Sequence, residues 1–551
     1  MASDRGIGYW LTRRAALTPE ARALVWAGDP GTPASPATAT PLDGDTWTYA
    51  ELNRRVNTLA HALRSLGVNA GDRVAYLDLN HPNFFVTLFA TAKLGAILVP
   101  LNFRLTGPEL TFIINDAGVH TLVYDQSFGG VIETIRGDLC CRHIIRSVAD
   151  PLADRTLPPG TRSFEDLFTD QRESDMDNQV KGDEVAWIMY TSGTTGRPKG
   201  AMLTHDNILW NNIQSWIAFD SQGADITLVC APLFHIGGLN VTPMSAFTKG
   251  ATVVLMRSYD PVRVLELIER ERVTTMFGVP AMFQFMALSP GFAEADLSSV
   301  RFFICGGAPV PEPLIRLYGE RGITFAQGYG LTETSPFCTI VPPEMAAAKV
   351  GSAGLPPFFT EVRLVDADDR PVTAPGERGE IVVKGPNVMK GYWNRPDATA
   401  EAIVNGWFHT GDVGVVDEDG FFFVVDRKKD MIISGGENIY PAEVEDVLYG
   451  HPDIAEAAVI GVPDPRWGET VRAIVVPKSG TSPTETAIME WTQGRLARYK
   501  QPRSVVFVDV LPRNPAGKVL KYELRDRFGT GTTPAGETPS AAGEAVGRGA
   551  G

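Results

Sequence analysis

Val185-Ala-Trp-Ile-Met-Tyr-Thr-Ser-Gly-Thr-Thr-Gly-Arg-Pro-Lys-Gly200 opens as an apolar run and breaks abruptly into hydroxyls, glycines and cations. Val185 to Tyr190 reads as a buried strand: short, aromatic and β-branched, and bounded by a turn signal. The stretch after it is built to meet an anion. Thr191, Ser192, Thr194 and Thr195 offer hydroxyl donors, and Lys199 adds a point charge. Gly193, Gly196 and Gly200 let backbone amides come close to phosphate oxygens. Most Gly/Ser/Thr loops are plain surface turns, but the density and order of donors here favour a phosphate cradle. It is not the common G-x-x-x-x-G-K-[ST] loop, because Arg197-Pro198 precede the lysine and Gly200 follows it.

The same strand-then-helix rhythm continues on both sides. Upstream, Thr48 and Glu51 form a T-x-x-E capping box, and Leu52, Val56, Leu59 and Leu63 line one helical face as far as Gly67. Arg73 to Leu79 reads as a strand, Phe84 to Leu94 as a helix and Ala96 to Leu101 as a strand. Downstream, Thr227 to Ala231, Ala251 to Met256 and Val300 to Cys305 read as strands, with a helix over Val262 to Arg270. Such alternation predicts α/β architecture with doubly wound parallel sheets. Beyond residue 345 short strands take over, at Val362 to Val365, Gly379 to Lys384 and Gly420 to Val425, predicting a small β-subdomain.

Asp426-Arg-Lys-Lys-Asp430 is a charge run, the usual composition of a solvated connector. After it comes a compact α+β stretch. It has helices from Pro441 through Leu448 and from Glu485 to Leu496, and strands at Ala457 to Val462, Val471 to Val476 and Val505 to Val508. The expected division is an N-terminal domain over 1–425, a hinge at 426–430, a mobile C-terminal domain over 431–527 and a disordered tail over 528–551.

The chain has 551 residues, a net charge of −15 and a pI near 5.1. An acidic surface gives no general attraction to nucleic acid or anionic membrane. No segment approaches the ~20 apolar residues of a membrane span, and Met1 to Arg14 lacks the apolar stretch of a secretory signal. Cys140, Cys141, Cys230, Cys305 and Cys338 are odd in number and include no C-x-x-C pair. They read as reduced residues, mostly in the core, of a cytoplasmic protein.

Further stretches in register with the phosphate loop give the chain a family likeness. Gly306-Gly-Ala-Pro309, Gln327-Gly-Tyr-Gly-Leu-Thr-Glu-Thr334, Trp407-Phe-His-Thr-Gly-Asp412, Asp426 to Asp430 and Pro512-Arg-Asn-Pro-Ala-Gly-Lys518 resemble, in order, the motifs of the adenylate-forming superfamily. His81-Pro-Asn83, Pro100-Leu-Asn-Phe-Arg104, Gly385-Pro-Asn-Val-Met-Lys-Gly-Tyr-Trp393 and Asp430 to Pro441 are most similar to actinobacterial acyl-CoA synthetases of the fatty-acyl and feruloyl-CoA type. The likeness spans about residues 45 to 527.

The resemblance implies an ATP-dependent acid–CoA ligase that forms an acyl-AMP with release of pyrophosphate and then an acyl-CoA thioester. ATP, Mg²⁺ and coenzyme A are implied with it. It assigns the 191–199 loop to the β- and γ-phosphates, Glu333 to Mg²⁺ and Thr332 to the α-phosphate. Tyr329 would lie against adenine, with Gly306, Gly307 and Ala308 on its other side and Gln327, Gly328 and Gly330 in the same segment. Asp412 would accept the ribose hydroxyls, and Arg427 would reach ribose or phosphate. Lys518 would bridge carboxylate and α-phosphate, Lys429 would be the pivot, and Gly435 and Gly436 would line the CoA tunnel. Taken alone, Glu333 is an ordinary charge, Asp412 a turn residue, Tyr329 a core aromatic and Lys518 a surface lysine. Motif context is what lifts them.

His235 would border the acid pocket, with Gly237, Gly238, Phe277, Gly278 and Thr334 lining it. Phe234 to Val241 contains no acidic residue to receive an α-amino group, which argues against amino acids. Apolar walls and glycines favour a hydrophobic body: fatty, aryl or polycyclic. The alternative is an adenylating enzyme that passes its acyl-AMP to a separate carrier protein or partner transferase, for example in natural-product biosynthesis. A homodimer is the most the resemblance implies about assembly.

Overall fold

The structure is a computed structural model, and it describes residues 5–28, 45–148, 155–169, 172–176, 179–191, 198–307, 310–427, 430–434, 437–464, 467–493, 495–496, 498–513 and 519–529. Of these, the side chains of 426, 427, 433, 437 and 438 are outside the description. The chain forms two compact units, 1–410 with 414–424, and 411–413 with 425–551. The tail expected over 528–551 lies almost wholly outside the described residues.

Among the described residues, the larger unit holds two eight-stranded sheets. In the first, Arg73–Leu77 runs parallel between Ile97–Pro100 and Val119–Asp125, and Ile97–Pro100 also runs parallel to Val185–Thr191. Val185–Thr191 then pairs antiparallel with Lys199–Thr204, which pairs antiparallel with Gly391–Tyr392 at the edge. In the second sheet, Ile226–Val229 is parallel to Thr252–Leu255 and Thr275–Gly278. Phe302–Gly306 and Phe325–Gly330 continue it in parallel, and Phe337–Val341 closes that edge antiparallel.

The helices follow their sequence signals. Thr48 caps the helix Tyr49–Ser65: its hydroxyl accepts from Glu51 N at 3.2 Å, and Glu51 Oε2 accepts from Thr48 N at 2.8 Å. Leu52, Val56, Leu59 and Leu63 form its buried stripe. The helix Pro82–Leu94 is buried all round because it lies between layers. Phe85 and Phe89 meet Phe247, from the second sheet's helices, at ring distances of 4.9 and 5.5 Å. One apolar core therefore runs through both sheets.

Arg22–Trp26, near the N-terminus, pairs parallel with Thr252–Leu255 in the second sheet. In the smaller unit, the helix from Glu485 ends at Thr492 rather than Leu496, because Gln493 turns extended (ψ 135°) just before Gly494. That unit packs a sheet of Ile432–Ser434, Glu437–Ile439, Ile454–Asp464, Gly468–Pro477 and Ser504–Phe507 against the helices Pro441–Tyr449 and Glu485–Thr492. A further helix, Lys521–Phe528, has no counterpart in the sequence reading. The cysteines are all free, with Cys230, Cys305 and Cys338 buried, Cys141 intermediate and Cys140 exposed. Among the described residues no helix is long and apolar enough to cross a membrane.

Candidate active site

The hairpin register pairs Tyr190 with Gly200 and Thr191 with Lys199, so the phosphate-loop residues span the tip between two strand ends. Ser192, Gly193, Thr194, Thr195 and Gly196 lie outside the described residues. Tyr190 donates to Asp116 Oδ2 at 2.7 Å, and Arg395 pairs with Asp116 Oδ1 at 2.5 Å. Burial first, then the Asp116 carboxylate, raise the Tyr190 phenol pKa, keeping it a neutral donor. Gly200 is required by packing: a Cβ there would sit 2.6 Å from Ile188 and 3.1 Å from the Tyr190 ring.

Beside this base the structure brings together Thr191, Lys199, Glu333 and Tyr392. Glu333 is 7% exposed, on the short 3-10 turn Thr332–Thr334. Its Oε1 accepts from Tyr392 at 2.9 Å and from Thr191 at 3.5 Å. Lys199 Nζ lies 5.2 Å from the centre of the Tyr392 ring. The turn is fixed from several elements. Met389 N donates to Glu333 O at 2.7 Å, Asn387 Nδ2 to Thr334 O and Phe337 O at 2.8 Å each, and Asn240 Nδ2 to Ser335 O at 2.6 Å.

Glu333 has hydroxyl partners and no ion-pair partner among the described residues, and those residues hold no cluster of three metal-ligating side chains. A single buried carboxylate with hard oxygen neighbours suits Mg²⁺, which takes one or two carboxylates and completes its shell with phosphate and water. When bound, the ion would neutralise phosphate charge.

The strands Phe302–Gly306 and Phe325–Gly330 set Gly306 opposite Gly328 and Cys305 opposite Gln327. Gln327 is 4% exposed, and its Nε2 has no partner among the described residues, an amide donor consistent with a nucleobase neighbour. Gly307 adopts φ +82°, a left-handed conformation that favours glycine. Tyr329 is half-buried and packs against the buried cluster of Cys338, Leu364, Ile381, Val383 and Phe422. Gly330 is forced by close approach, since a Cβ would fall 1.7 Å from Pro336 O. Thr332 is half-buried on the Glu333 turn, and Ala308 lies outside the described residues.

His235 caps the short helix Ile236–Asn240, its Nδ1 accepting from Gly237 N at 3.2 Å. That bond leaves Nε2 to carry the proton of the neutral ring. The side chain is solvent-exposed yet crowded by protein, whose desolvation lowers its pKa. Asn80 pins the preceding loop, donating to Ala231 O at 3.0 Å and accepting from Leu233 N at 2.9 Å.

Gly237 faces the Phe277 ring, whereas Gly238 backs onto the Pro232 carbonyl and Gly278 faces Phe283 on the opposite side of its strand. Thr334 is fully buried inside its turn, its hydroxyl engaged with Leu331, Pro336 and Cys338. His235, Gly237 and Phe277 thus lie together, while Gly278 meets Phe283 and the Thr334 hydroxyl stays within its own turn. In the smaller unit Asp412 is 3% exposed on the strand Trp407–Val416. Arg427 ends the strand Phe422–Arg427, with its side chain outside the description. Lys429, Gly435, Gly436 and Lys518 lie outside the described residues. Sequence reasoning missed Tyr392, Asp116, Asn80, Asn240 and Asn387. Asn387 and Tyr392 carried a local signal, both within the Gly385 to Trp393 run.

Comparison with known proteins places this geometry. Residues 11–393 match the AMP-binding enzyme family, and residues 443–518 match the AMP-binding enzyme C-terminal domain. A feruloyl-CoA synthase of Amycolatopsis sp is 49% identical over 527 residues, covering 96% of this chain and 100% of the relative. A long-chain-fatty-acid–CoA ligase of Mycobacterium tuberculosis is 41% identical over 525 residues, covering 95% and 99%. The solved o-succinylbenzoate coenzyme A synthetase of Bacillus subtilis, in complex with ATP and magnesium ion, superposes with a TM-score of 0.79. It is 35% identical and covers 94% of this chain and 99% of that one. The chain thus belongs to the AMP-binding enzyme family and is an enzyme of its AMP-forming acyl-CoA synthetase kind.

Proposed function

We propose that this enzyme activates a hydrophobic carboxylic acid with ATP and Mg²⁺ and transfers the acyl group to coenzyme A. The observation that carries the reading is the buried Glu333 carboxylate, met by hydroxyls alone among the described residues and set 3.5 Å from Thr191 at the foot of the phosphate loop. In the first step a carboxylate oxygen attacks the α-phosphorus, and the bond to the β-phosphate oxygen breaks. Acyl-AMP and pyrophosphate result. Two anions must meet, so positioning and charge neutralisation supply most of the acceleration.

The loop around Thr191 to Lys199 holds the departing phosphates, and Lys518 bridges the acid and the α-phosphate. In the second step the thiolate of coenzyme A attacks the acyl carbonyl and AMP leaves. Desolvation lowers the pKa of His235, which lies beside Gly237 and Phe277. The aryl- and fatty-acid relatives support a hydrophobic acid.

Incubation with ATP, Mg²⁺ and a panel of carboxylic acids, with and without coenzyme A, tests the reading. AMP, pyrophosphate and an acyl-CoA thioester are expected in equal amounts when coenzyme A is present. Acyl-AMP that persists beside free coenzyme A would mean delivery to a carrier protein or transferase instead. ADP as the nucleotide product would end the reading.

A further inference from the structure

We infer that Asp116 is a positioning residue for the ATP step: it grips both chain segments whose hydroxyls meet Glu333. The inference rests on the reading of Glu333 as the Mg²⁺-holding carboxylate, and adds the residue that keeps its partners in place.

Asp116 lies in the last turn of the helix Gly107–Ala117, which ends at Gly118 in a left-handed conformation (φ +62°). A carboxylate is unfavourable there, because the last carbonyls already make that end of a helix negative. Arg73 meets those carbonyls, donating to Ala117 O and Gly118 O at 2.6 Å each. The helix end is thus satisfied without Asp116, whose side chain, 11% exposed, turns to other elements.

Those elements are the two segments beside the phosphate loop. Asp116 Oδ2 accepts from the Tyr190 hydroxyl at 2.7 Å, and Oδ1 from Arg395 Nη2 at 2.5 Å. Its backbone carbonyl accepts from Trp393 Nε1 at 3.2 Å and from Asn394 Nδ2 at 3.4 Å. Side chains from segments remote in sequence therefore converge on one residue.

Each gripped segment carries a neighbouring hydroxyl that faces Glu333. Successive strand residues point to opposite faces, so Tyr190 reaches Asp116 while Thr191 stands 3.5 Å from Glu333 Oε1. In the second segment Trp393 and Arg395 reach Asp116, while Tyr392 donates to Glu333 Oε1 at 2.9 Å. The segments are also joined directly: Trp393 N donates to Gly200 O at 2.8 Å, and Tyr392 pairs with Ala201. This sheet edge is held between two carboxylates, Asp116 on the Tyr190 face and Glu333 on the Thr191 face.

Without Asp116, Tyr190 and Arg395 lose their shared acceptor, and the Thr191 and Tyr392 hydroxyls lose their common frame. Stability is the lesser consequence. Arg395 is 37% exposed, and ion pairs open to water contribute little.

The test reads metal binding and turnover side by side. Mn²⁺ stands in for Mg²⁺, and its affinity for the enzyme with a non-hydrolysable ATP analogue is measured from the paramagnetic resonance signal of the free ion. Asp116→Ala should weaken Mn²⁺ binding about 10-fold, the low end of what outer partners of a metal site contribute. The Mg²⁺ concentration for half-maximal pyrophosphate release should rise by the same factor, while the KM for the acid stays within about twofold. Asp116→Asn, which keeps an oxygen for Arg395, should fall between Asp116→Ala and wild type. Combining Asp116→Ala with Tyr392→Phe should weaken Mn²⁺ binding by less than the product of the two single losses, because both act through Glu333. A cooperative melt shows which variants are folded. If Asp116→Ala does not fold, Asp116→Asn and Tyr190→Phe decide, each with a measurable but smaller loss of Mn²⁺ affinity.

Wild-type Mn²⁺ binding in the folded variants overturns the inference. A lowered rate with unchanged Mn²⁺ and Mg²⁺ dependence marks a purely structural clasp and overturns it as well, as do losses that multiply in the double variant. Glu333→Gln tests the reading beneath it: unchanged Mn²⁺ binding there removes Glu333 as the metal residue, and the inference falls with it. Weakened binding in Glu333→Gln beside normal binding in the Asp116 variants sinks the inference alone.

Discussion

Tyr392→Phe isolates one hydroxyl beside the phosphate loop. That hydroxyl donates to Glu333 Oε1 at 2.9 Å, while the other donor, Thr191, stands at 3.5 Å, the outer limit of a hydrogen bond. The phenyl ring remains, so its contact with Lys199 Nζ at 5.2 Å is kept. A hydrogen bond to a charged group contributes about 1.5–3 kcal/mol, or roughly 10- to 150-fold in an equilibrium constant. Outer partners of a metal-holding carboxylate typically account for about 10- to 100-fold in affinity or activity. The Mg²⁺ concentration giving half-maximal pyrophosphate release should therefore rise about 10- to 100-fold in Tyr392→Phe, with most of the rate recovered at saturating Mg²⁺. Glu333→Gln, which removes the carboxylate itself, should not recover at any Mg²⁺ concentration. The assay is continuous pyrophosphate release across a Mg²⁺ titration at fixed ATP. A Tyr392→Phe titration curve that overlies wild type would refute the assignment of Tyr392 as the residue orienting Glu333.

Gly330→Ala places a Cβ 1.7 Å from the Pro336 carbonyl oxygen, whereas Gly322 has open space around it and needs glycine for its φ of +75° alone. In urea unfolding Gly330→Ala should lose more stability than the roughly 1 kcal/mol expected of Gly322→Ala, with overpacking costs of about 1–3 kcal/mol or beyond; equal midpoints would contradict the packing. His205 is buried, accepts from Ile7 N at 3.1 Å through Nδ1, and has its pKa lowered by burial to about 4. Because the unfolded chain takes up a proton near pH ~6.5 and the folded one does not, the stability it contributes is full above that pH and lost as pH falls toward the folded pKa, at up to about 1.4 kcal/mol per unit. His205→Asn, measured by denaturant unfolding at several pH values, should flatten that acid limb, and parallel profiles would disprove it.

Local chemistry made part of this molecule readable from its sequence. The strand from Val185 and the donor-rich loop after it were written in composition, and the Thr48–Glu51 cap forms as its side chains dictate. What stayed hidden depends on distant partners. Nothing in Arg22 to Trp26 tells which sheet it joins; Leu24, Val25 and Trp26 pair with Val253, Val254 and Leu255, more than two hundred residues on, because a strand's pattern fixes its faces and not its neighbour. Tyr392 reaches Glu333 only because Gly391 and Tyr392 pair with Met202 and Ala201 at the sheet edge. The Thr334 hydroxyl is engaged within its own turn, a contact residue type alone does not reveal. Strand alternation, not residue type, sets the face Gly278 shows, where a Cβ would meet Phe283.

The central claim is that an acid's own oxygen forms a bond to the α-phosphorus of ATP. Enzyme supplied with heavy-oxygen-labelled carboxylic acid, MgATP and coenzyme A should return AMP carrying one labelled oxygen, with none in pyrophosphate, because thiol attack at the acyl carbonyl leaves the bridging oxygen on phosphorus. Unlabelled AMP, or label appearing in a β- or γ-phosphate product, would contradict it.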